Sequence, residues 1–145
     1  MVKNRSDRIQ VVIDLSKIEL NNSEVVLQSI KSQLQVQENQ LNSLQNYKNE
    51  YLEQLKSSKT TTLQGLNSMH AFVSKLNQAI EFQRAQITNL EETFEQSQVI
   101  WVEKKVRTQS LENLYKKIKK KENVKVAKEE QKIMDDMVAS NFARR

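Results

Sequence analysis

The chain has 145 residues, a formal net charge of +5, no proline, no cysteine and one glycine, Gly65. Globular chains average about 5% proline and 7% glycine, so the turns that a sandwich, a barrel or an α/β fold requires are missing. Without cysteine there is no disulfide, no thiolate nucleophile and no cysteine-ligated metal, and the lone His70 cannot build a histidine cluster around a metal ion.

Hydrophobic residues make up 37% of the chain, below the roughly 45–50% of a globular domain. Leu, Ile, Val and Phe together reach about 28%, above the roughly 20% under which disorder is the default. Such a chain folds but cannot enclose a thick core, and long helices sharing a narrow apolar seam suit it best. No apolar stretch approaches the ~18 residues of a membrane span, and the N-terminus lacks the apolar core of a signal peptide. A soluble, cytoplasmic protein without membrane insertion is expected. No catalytic grouping and no phosphate-cradling glycine loop is present, so an enzyme is not expected, and neither is a cofactor. Function must come from binding or mechanics.

The first helix is predicted over about residues 7–57. Its heptad a positions are Ile13, Leu20, Leu27, Leu34, Leu41, Lys48 and Leu55. Its d positions are Ile9, Ser16, Ser23, Ile30, Gln37, Leu44 and Tyr51. Most are apolar, and the other faces carry Gln, Asn, Lys and Glu, as an exposed helix requires.

The pattern stops at SSKTTTLQG, residues 57–65. A run of threonines is a poor helix former, serines compete for backbone hydrogen bonds, and Gly65 closes the segment. A turn over residues 58–65 is predicted, with a second helix over about residues 66–142. Its a positions are Leu66, Val73, Ile80, Ile87, Phe94, Trp101, Thr108 and Tyr115, and its d positions are Met69, Leu76, Gln83, Leu90, Ser97, Lys104, Leu111 and Ile118. The seam is continuous to about Leu90 and then loosens toward Lys104.

Two heptad helices joined by a short turn fold back on each other. The expected fold is all-α, a single long antiparallel two-helix coiled-coil hairpin over residues 1–145, monomeric, with the second helix longer than the first. With the turn centred near residue 61, residue i faces roughly residue 122 − i, which sets Ile9 near Asn113 and Leu44 near Gln78. The end of the second helix overhangs the first. An extra-long parallel dimer is the competing architecture.

Charge is uneven. From Trp101 onward there are 13 Lys+Arg against 7 Asp+Glu, while the first 100 residues carry 10 against 11. The excess sits in YKKIKKK, Tyr115–Lys121, and a hairpin brings Lys3, Arg5 and Arg8 to the same end. A solvated face, an acidic protein surface or anionic lipid could answer these charges. No nucleic-acid-binding signature accompanies them, so nucleic acid is not an expected partner.

Apolar and aromatic side chains beside the seam mark a candidate binding surface. Gln40, Leu44, Tyr47 and Tyr51 form one helical stripe, and Phe72, Leu76, Ala79 and Gln83 form another, at matching heights of the hairpin. They either widen the core or make a two-helix patch for a partner. Ile133, Met134, Met137, Val138 and Phe142 recur on one face of the overhang, where no intramolecular partner exists. The tail is either a frayed terminus or an element that enters a partner's groove or pore. His70 is expected to be a solvated or patch-edge residue, and Trp101 to fill the seam or meet a partner.

The chain resembles the FliJ family, the small coiled-coil proteins of the flagellar type III export apparatus. The stretches that carry the resemblance are QLNSLQNYKNEY (residues 40–51), FVSKLNQAIEFQRAQI (72–87), WVEKK (101–105) and EEQKIMDD (129–136). Their order and spacing, the length, the turn position and the basic balance agree with the family. The stalk proteins of virulence secretion systems have a similar form but match these stretches less well.

The resemblance implies a stalk without catalysis. The open end would enter the hexameric flagellar export ATPase and promote its assembly and ATP hydrolysis. ATPase contacts would fall on Arg5, Arg8, Lys116, Lys117, Lys120, Lys121, Gln131, Lys132, Met134, Asp135, Met137 and Val138. The stalk would link the ATPase to the cytoplasmic domain of the membrane export gate protein, at the flagellar base beside the inner membrane. The gate-binding positions would be Gln40, Leu44, Tyr47, Tyr51, Phe72, Leu76, Ala79 and Gln83. The family often carries histidine at the last of these, where this chain has glutamine. Export chaperones are further implied partners. The alternatives are an export chaperone or escort, the equivalent stalk of a virulence secretion system, or a passive scaffold.

Overall fold

The computed structural model describes residues 4–57 and 62–144. These residues form two α-helices, α1 (Arg5–Ser57) and α2 (Leu63–Ala143). The chain is all-α, an antiparallel two-helix coiled-coil hairpin whose second helix is the longer. The centre of the predicted turn, residues 58–61, lies outside the described residues. Packing divides the chain into two compact units. One comprises the chain up to Asn22 and from Val102 onward; the other is Ser23–Trp101.

In both units the heptad positions make the contact. Every a and d position from Ile9 to Leu55 and from Leu66 to Ile118 is buried or half-buried. Ile13 and Ile118 are the most buried apolar residues of the first unit; Ile30, Leu76, Ile80 and Ile87 are those of the second. From Leu90 to Lys104 the seam positions are half-buried, in keeping with the expected loosening, and a buried position returns at Thr108. The buried polar members are matched across the helices. Thr108 donates its hydroxyl proton to the carbonyl of Lys104 at 2.8 Å, so Ser16 is left to donate to Thr108 Oγ1 at 2.6 Å. Lys104 reaches outward and donates to Glu19 Oε2 at 3.0 Å. In the second unit the side-chain amide of Gln83 donates to the carbonyl oxygen of Gln37 at 3.2 Å and to the side-chain oxygens of Gln37 and Gln40.

These pairs fix the register. Ser16 meets Thr108, Glu19 meets Lys104 and Gln37 meets Gln83. Each lies within two residues of the position that the 122 − i relation assigns. Ser6 is met by Glu122, farther along α2, because a helical side chain leans toward its own N-terminus and covers the preceding turn.

The predicted start of the second helix needs correction. Gly65 does not sit in a turn: α2 begins at Leu63, and no glycine has a positive φ. Thr62 supplies the missing start signal. Its hydroxyl accepts the N–H of Gly65 at 3.1 Å and its carbonyl accepts that of Leu66 at 3.0 Å, which makes it the N-cap. A Cβ at residue 65 would lie 3.0 Å from that hydroxyl, so glycine is the residue that leaves the cap undisturbed.

The Ser16–Thr108 pair gives the first prediction. Thr108→Val alone strands a buried hydroxyl and is expected to destabilise the hairpin by about 1–3 kcal/mol. Adding Ser16→Ala is expected to recover most of that loss. Urea denaturation of the two single variants and the double variant measures the coupling, and additive losses would show that the hydroxyls do not act as a pair.

Candidate functional site

The structure brings together one part of the predicted mid-hairpin surface and buries another. Phe72 lies between two tyrosines, with ring centroids 4.6 Å from Tyr51 and 6.2 Å from Tyr47. The closer pair is tilted by 58° and the other approaches edge to face at 73°, both favourable for aromatic rings. Tyr47 remains 52% exposed, whereas Tyr51 and Phe72 are half-buried. The cluster is therefore partly core and partly surface.

Beside it runs an open groove lined by Val36, Asn39, Gln40, Ser43, Leu44, Tyr47 and Gln83. Four of these, Gln40, Leu44, Tyr47 and Gln83, are among the predicted positions. No lining side chain is charged, although charged residues make up 28% of the chain. The groove offers apolar surface from Val36, Leu44 and Tyr47 beside amides and a hydroxyl. Leu76 and Gln83, each 8% exposed, belong to the seam and present little to a partner. Ala79 is exposed but does not line this groove. Sequence reasoning missed Val36, Asn39 and Ser43. Their signal was spacing, since Val36, Asn39 and Ser43 follow one another by three and four residues on the flank of α1 that leads into Leu44 and Tyr47.

The basic end has a different chemistry. Arg5 and Arg8 open α1, and Lys116, Lys117, Lys120 and Lys121 are exposed on α2. Lys3 lies outside the described residues. Among the described residues, none of these four lysines forms an ion pair. They line two shallow grooves. One is bounded by Tyr115, Lys116, Lys119, Lys120, Asn123, Val124 and Ala127. The other, beside the start of α1, is lined by Arg5, Leu114, Lys117, Ile118, Lys120, Lys121 and Val124. Arg8 joins neither groove.

A carboxylate closes the inner side of this end. Glu122 accepts the Ser6 hydroxyl at 2.6 Å and the Ser6 backbone N–H at 3.2 Å. A side chain of α2 thus satisfies an otherwise orphaned donor in the first turn of α1. The Ser6 hydroxyl bond, opposed by burial and aided by the Ser6 N–H and the nearby Lys119 charge, holds the Glu122 carboxyl below its usual range. Glu19 is lowered as well, first by its hydrogen bond to Lys104 and then by that ammonium's charge.

Beyond Glu122 the helix has no companion. Every described residue from Asn123 to Arg144 is exposed, including Gln131, Lys132, Met134, Asp135, Met137 and Val138. Gln131 donates to Asp135 Oδ1 at 3.1 Å along the helix surface. Ile133, Met134, Met137, Val138 and Phe142 are each 59% exposed or more. The outer face of α1 carries a further exposed set, Val11, Leu15 and Ile18, that the seam pattern passed over. His70 is exposed and Trp101 is half-buried at its heptad position. Among the described residues no group of His, Cys, Asp and Glu could hold a metal ion, and no described helix is long and apolar enough to cross a membrane.

Fold and surfaces together define a helical hairpin protein with an uncharged groove beside Tyr47, lysine-rimmed grooves near the start of α1 and an exposed apolar tail. Residues 5–145 match the sequence model of the family described as Flagellar FliJ protein. The chain belongs to the FliJ family, and it is thereby a flagellar protein connected with export. No curated protein and no solved structure matches it.

The lowered carboxyl groups set a pH dependence. A carboxyl group whose pKa is depressed on folding stabilises the fold above its unfolded pKa and loses that contribution as pH falls through the folded value. The hairpin is therefore expected to weaken on acidification below the ordinary carboxylate range. Glu122→Gln should be less stable at neutral pH and less sensitive to acid. Denaturation midpoints at neutral and acidic pH test this, and an unchanged acid sensitivity in the variant would remove Glu122 from the account.

Proposed function

We propose that the protein acts as a non-catalytic stalk and adaptor of the flagellar export apparatus. Its open end enters the hexameric export ATPase, promotes ring assembly and ATP hydrolysis, and couples the ring to the cytoplasmic domain of the membrane export gate. The observation that carries this reading is the stretch from Asn123 to Ala143, helical yet exposed along its whole length. A single helix of that length is marginal in water, so a partner must supply its missing contacts. The apolar face of Ile133, Met134, Met137 and Val138 provides contact area. The unpaired lysines beside it suit acidic loops around a pore, where they contribute steering and orientation more than affinity.

The gate is assigned to the uncharged groove beside Tyr47, with Gln40, Leu44 and Tyr47 as contacts and Phe72 and Tyr51 as support. Leu76 and Gln83 act by holding the seam beneath it, and Ala79 contributes at the periphery. Export chaperones are partners of the same assembly. The protein works in the cytoplasm, peripherally attached at the flagellar base.

Titrating the cognate flagellar export ATPase with this protein tests the stalk role. Higher ATP turnover is expected, with more hexameric rings in electron micrographs. Truncation after Glu122 should abolish both effects while the paired helices remain folded by circular dichroism. Full stimulation by the truncated protein would show that the overhang is not the inserted element.

Tyr47→Ala combined with Gln40→Glu should weaken binding of the gate's cytoplasmic domain by roughly tenfold or more, since it removes an aromatic contact and places a charge in an uncharged groove. Unchanged gate affinity in a folded variant would move the gate site elsewhere.

A further inference from the structure

The face of α2 turned away from α1 carries two chemically opposite halves toward its C-terminal end. The first is the shallow groove that runs from Tyr115 to Ala127, with Lys116, Lys119 and Lys120 at its rim and Tyr115, Val124 and Ala127 as apolar surface. The second is the stretch EEQKIMDDMV, residues 129–138, in which Glu129, Glu130, Asp135 and Asp136 outweigh Lys132. The second half also exposes Ile133, Met134, Met137 and Val138.

One stripe of the helix runs through both halves. Lys116, Lys120, Asn123, Ala127, Gln131, Met134 and Val138 follow one another by three or four residues, the spacing that keeps side chains on a single face; Glu130 and Asp135 flank that stripe, and Glu129 and Asp136 lie on the opposite face. The acidic half cannot fold back onto the basic half of its own chain, because α2 is unbroken from Leu63 to Ala143. A second α2 lying antiparallel along the stripe brings each half to its opposite.

We propose that a second copy of this chain covers the stripe. Two α2 helices pack antiparallel about Ala127, and the acidic, apolar stretch of each copy docks on the lysine-rimmed groove of the other. Antiparallel symmetry about Ala127 sets Lys120 level with Met134 and Lys116 level with Val138. The lysine stems then lie over methionine and valine, while their ammonium groups reach Glu130 and Asp135. Each contact occurs twice, so the arrangement closes on itself as a dimer and does not propagate. The heptad seam within each chain is untouched. The inference does not rest on the stalk role. It does cover residues that the stalk role uses, so a dimer and an inserted stalk exclude each other.

Sedimentation velocity of the full chain, from low micromolar to hundreds of micromolar, tests the proposal. A monomer–dimer equilibrium is expected. It should weaken when salt rises from about 0.1 M to about 1 M and the screening length falls from about 10 Å to about 3 Å. Glu130→Lys with Asp135→Lys should weaken self-association by roughly tenfold or more, and so should Lys116→Glu with Lys120→Glu. All four positions are exposed, and circular dichroism checks that helicity is retained.

The decisive sample is the equimolar mixture of the two variants. Each is mismatched against itself, but each tail is matched to the other's groove, so the mixture should form a one-to-one heterodimer. A wild-type chain that stays monomeric throughout would overturn the proposal. So would charge-reversed variants that still self-associate, or a mixture that remains monomeric.

Discussion

A seam only two helices wide has no interior in which a misplaced polar group can be hidden. The buried polar side chains among the described residues, Ser6, Ser16, Gln83 and Thr108, each find a partner on the other helix, and the partner's position then sets the alignment of the helices. Ser16 with Thr108, and Gln83 with Gln37 and Gln40, are such pairs. Sliding one helix by a turn would strand a hydroxyl or an amide, at a cost comparable to the net worth of several ordinary hydrogen bonds. Apolar heptad residues tolerate such a slide far better, because leucine meets leucine in either position. The polar pairs therefore specify the alignment and the apolar residues supply the adhesion.

The consequences for binding follow from that economy. Everything outside the seam is surface, and its chemistry varies along the chain without disturbing the fold. An uncharged groove beside Tyr47, a lysine-rich stretch at the open end and an acidic, apolar tail can coexist because most of their side chains lie outside the seam, which shares Leu44, Gln83 and Tyr115 with the first two. Glu122 also joins the helices. It belongs to the basic stretch by position, yet its carboxylate serves the first turn of α1.

The heptad positions were legible in the sequence because a coiled coil writes its core as a repeat, and the a and d positions read from Ile9 to Ile118 are the ones that make contact. Two features were not legible. The start of α2 was displaced because Gly65 read as a turn residue, while the local geometry uses Thr62 as a cap and tolerates glycine inside the first turn. The return of a buried position at Thr108, after the expected loosening from Leu90 to Lys104, was also obscured, because Thr108 and its partner Ser16 count against an apolar pattern when read singly. Their compatibility is a property of the pairs, which lie across the hairpin from residues far away in sequence. The groove beside Tyr47 was half legible for the same reason. Its stripe on α1 follows helical spacing, but Gln83 arrives from α2 and settles which amides line the groove.

The sequence separation of the cross-helix contacts carries a consequence for how the molecule forms. Partners lie 46 residues apart at Gln37 and Gln83, 92 at Ser16 and Thr108, and 116 at Ser6 and Glu122. Closing the widest of these loops from an unstructured chain costs the most entropy, whereas closing it after its inner neighbours adds only a few residues at a time. On loop-closure entropy the helices are expected to zip outward from the capped start of α2, with the bond between Ser6 and Glu122 the last to form. The same order run backward makes that bond the first to break, so the end richest in lysine is also the end where the two strands of the zipper part most readily.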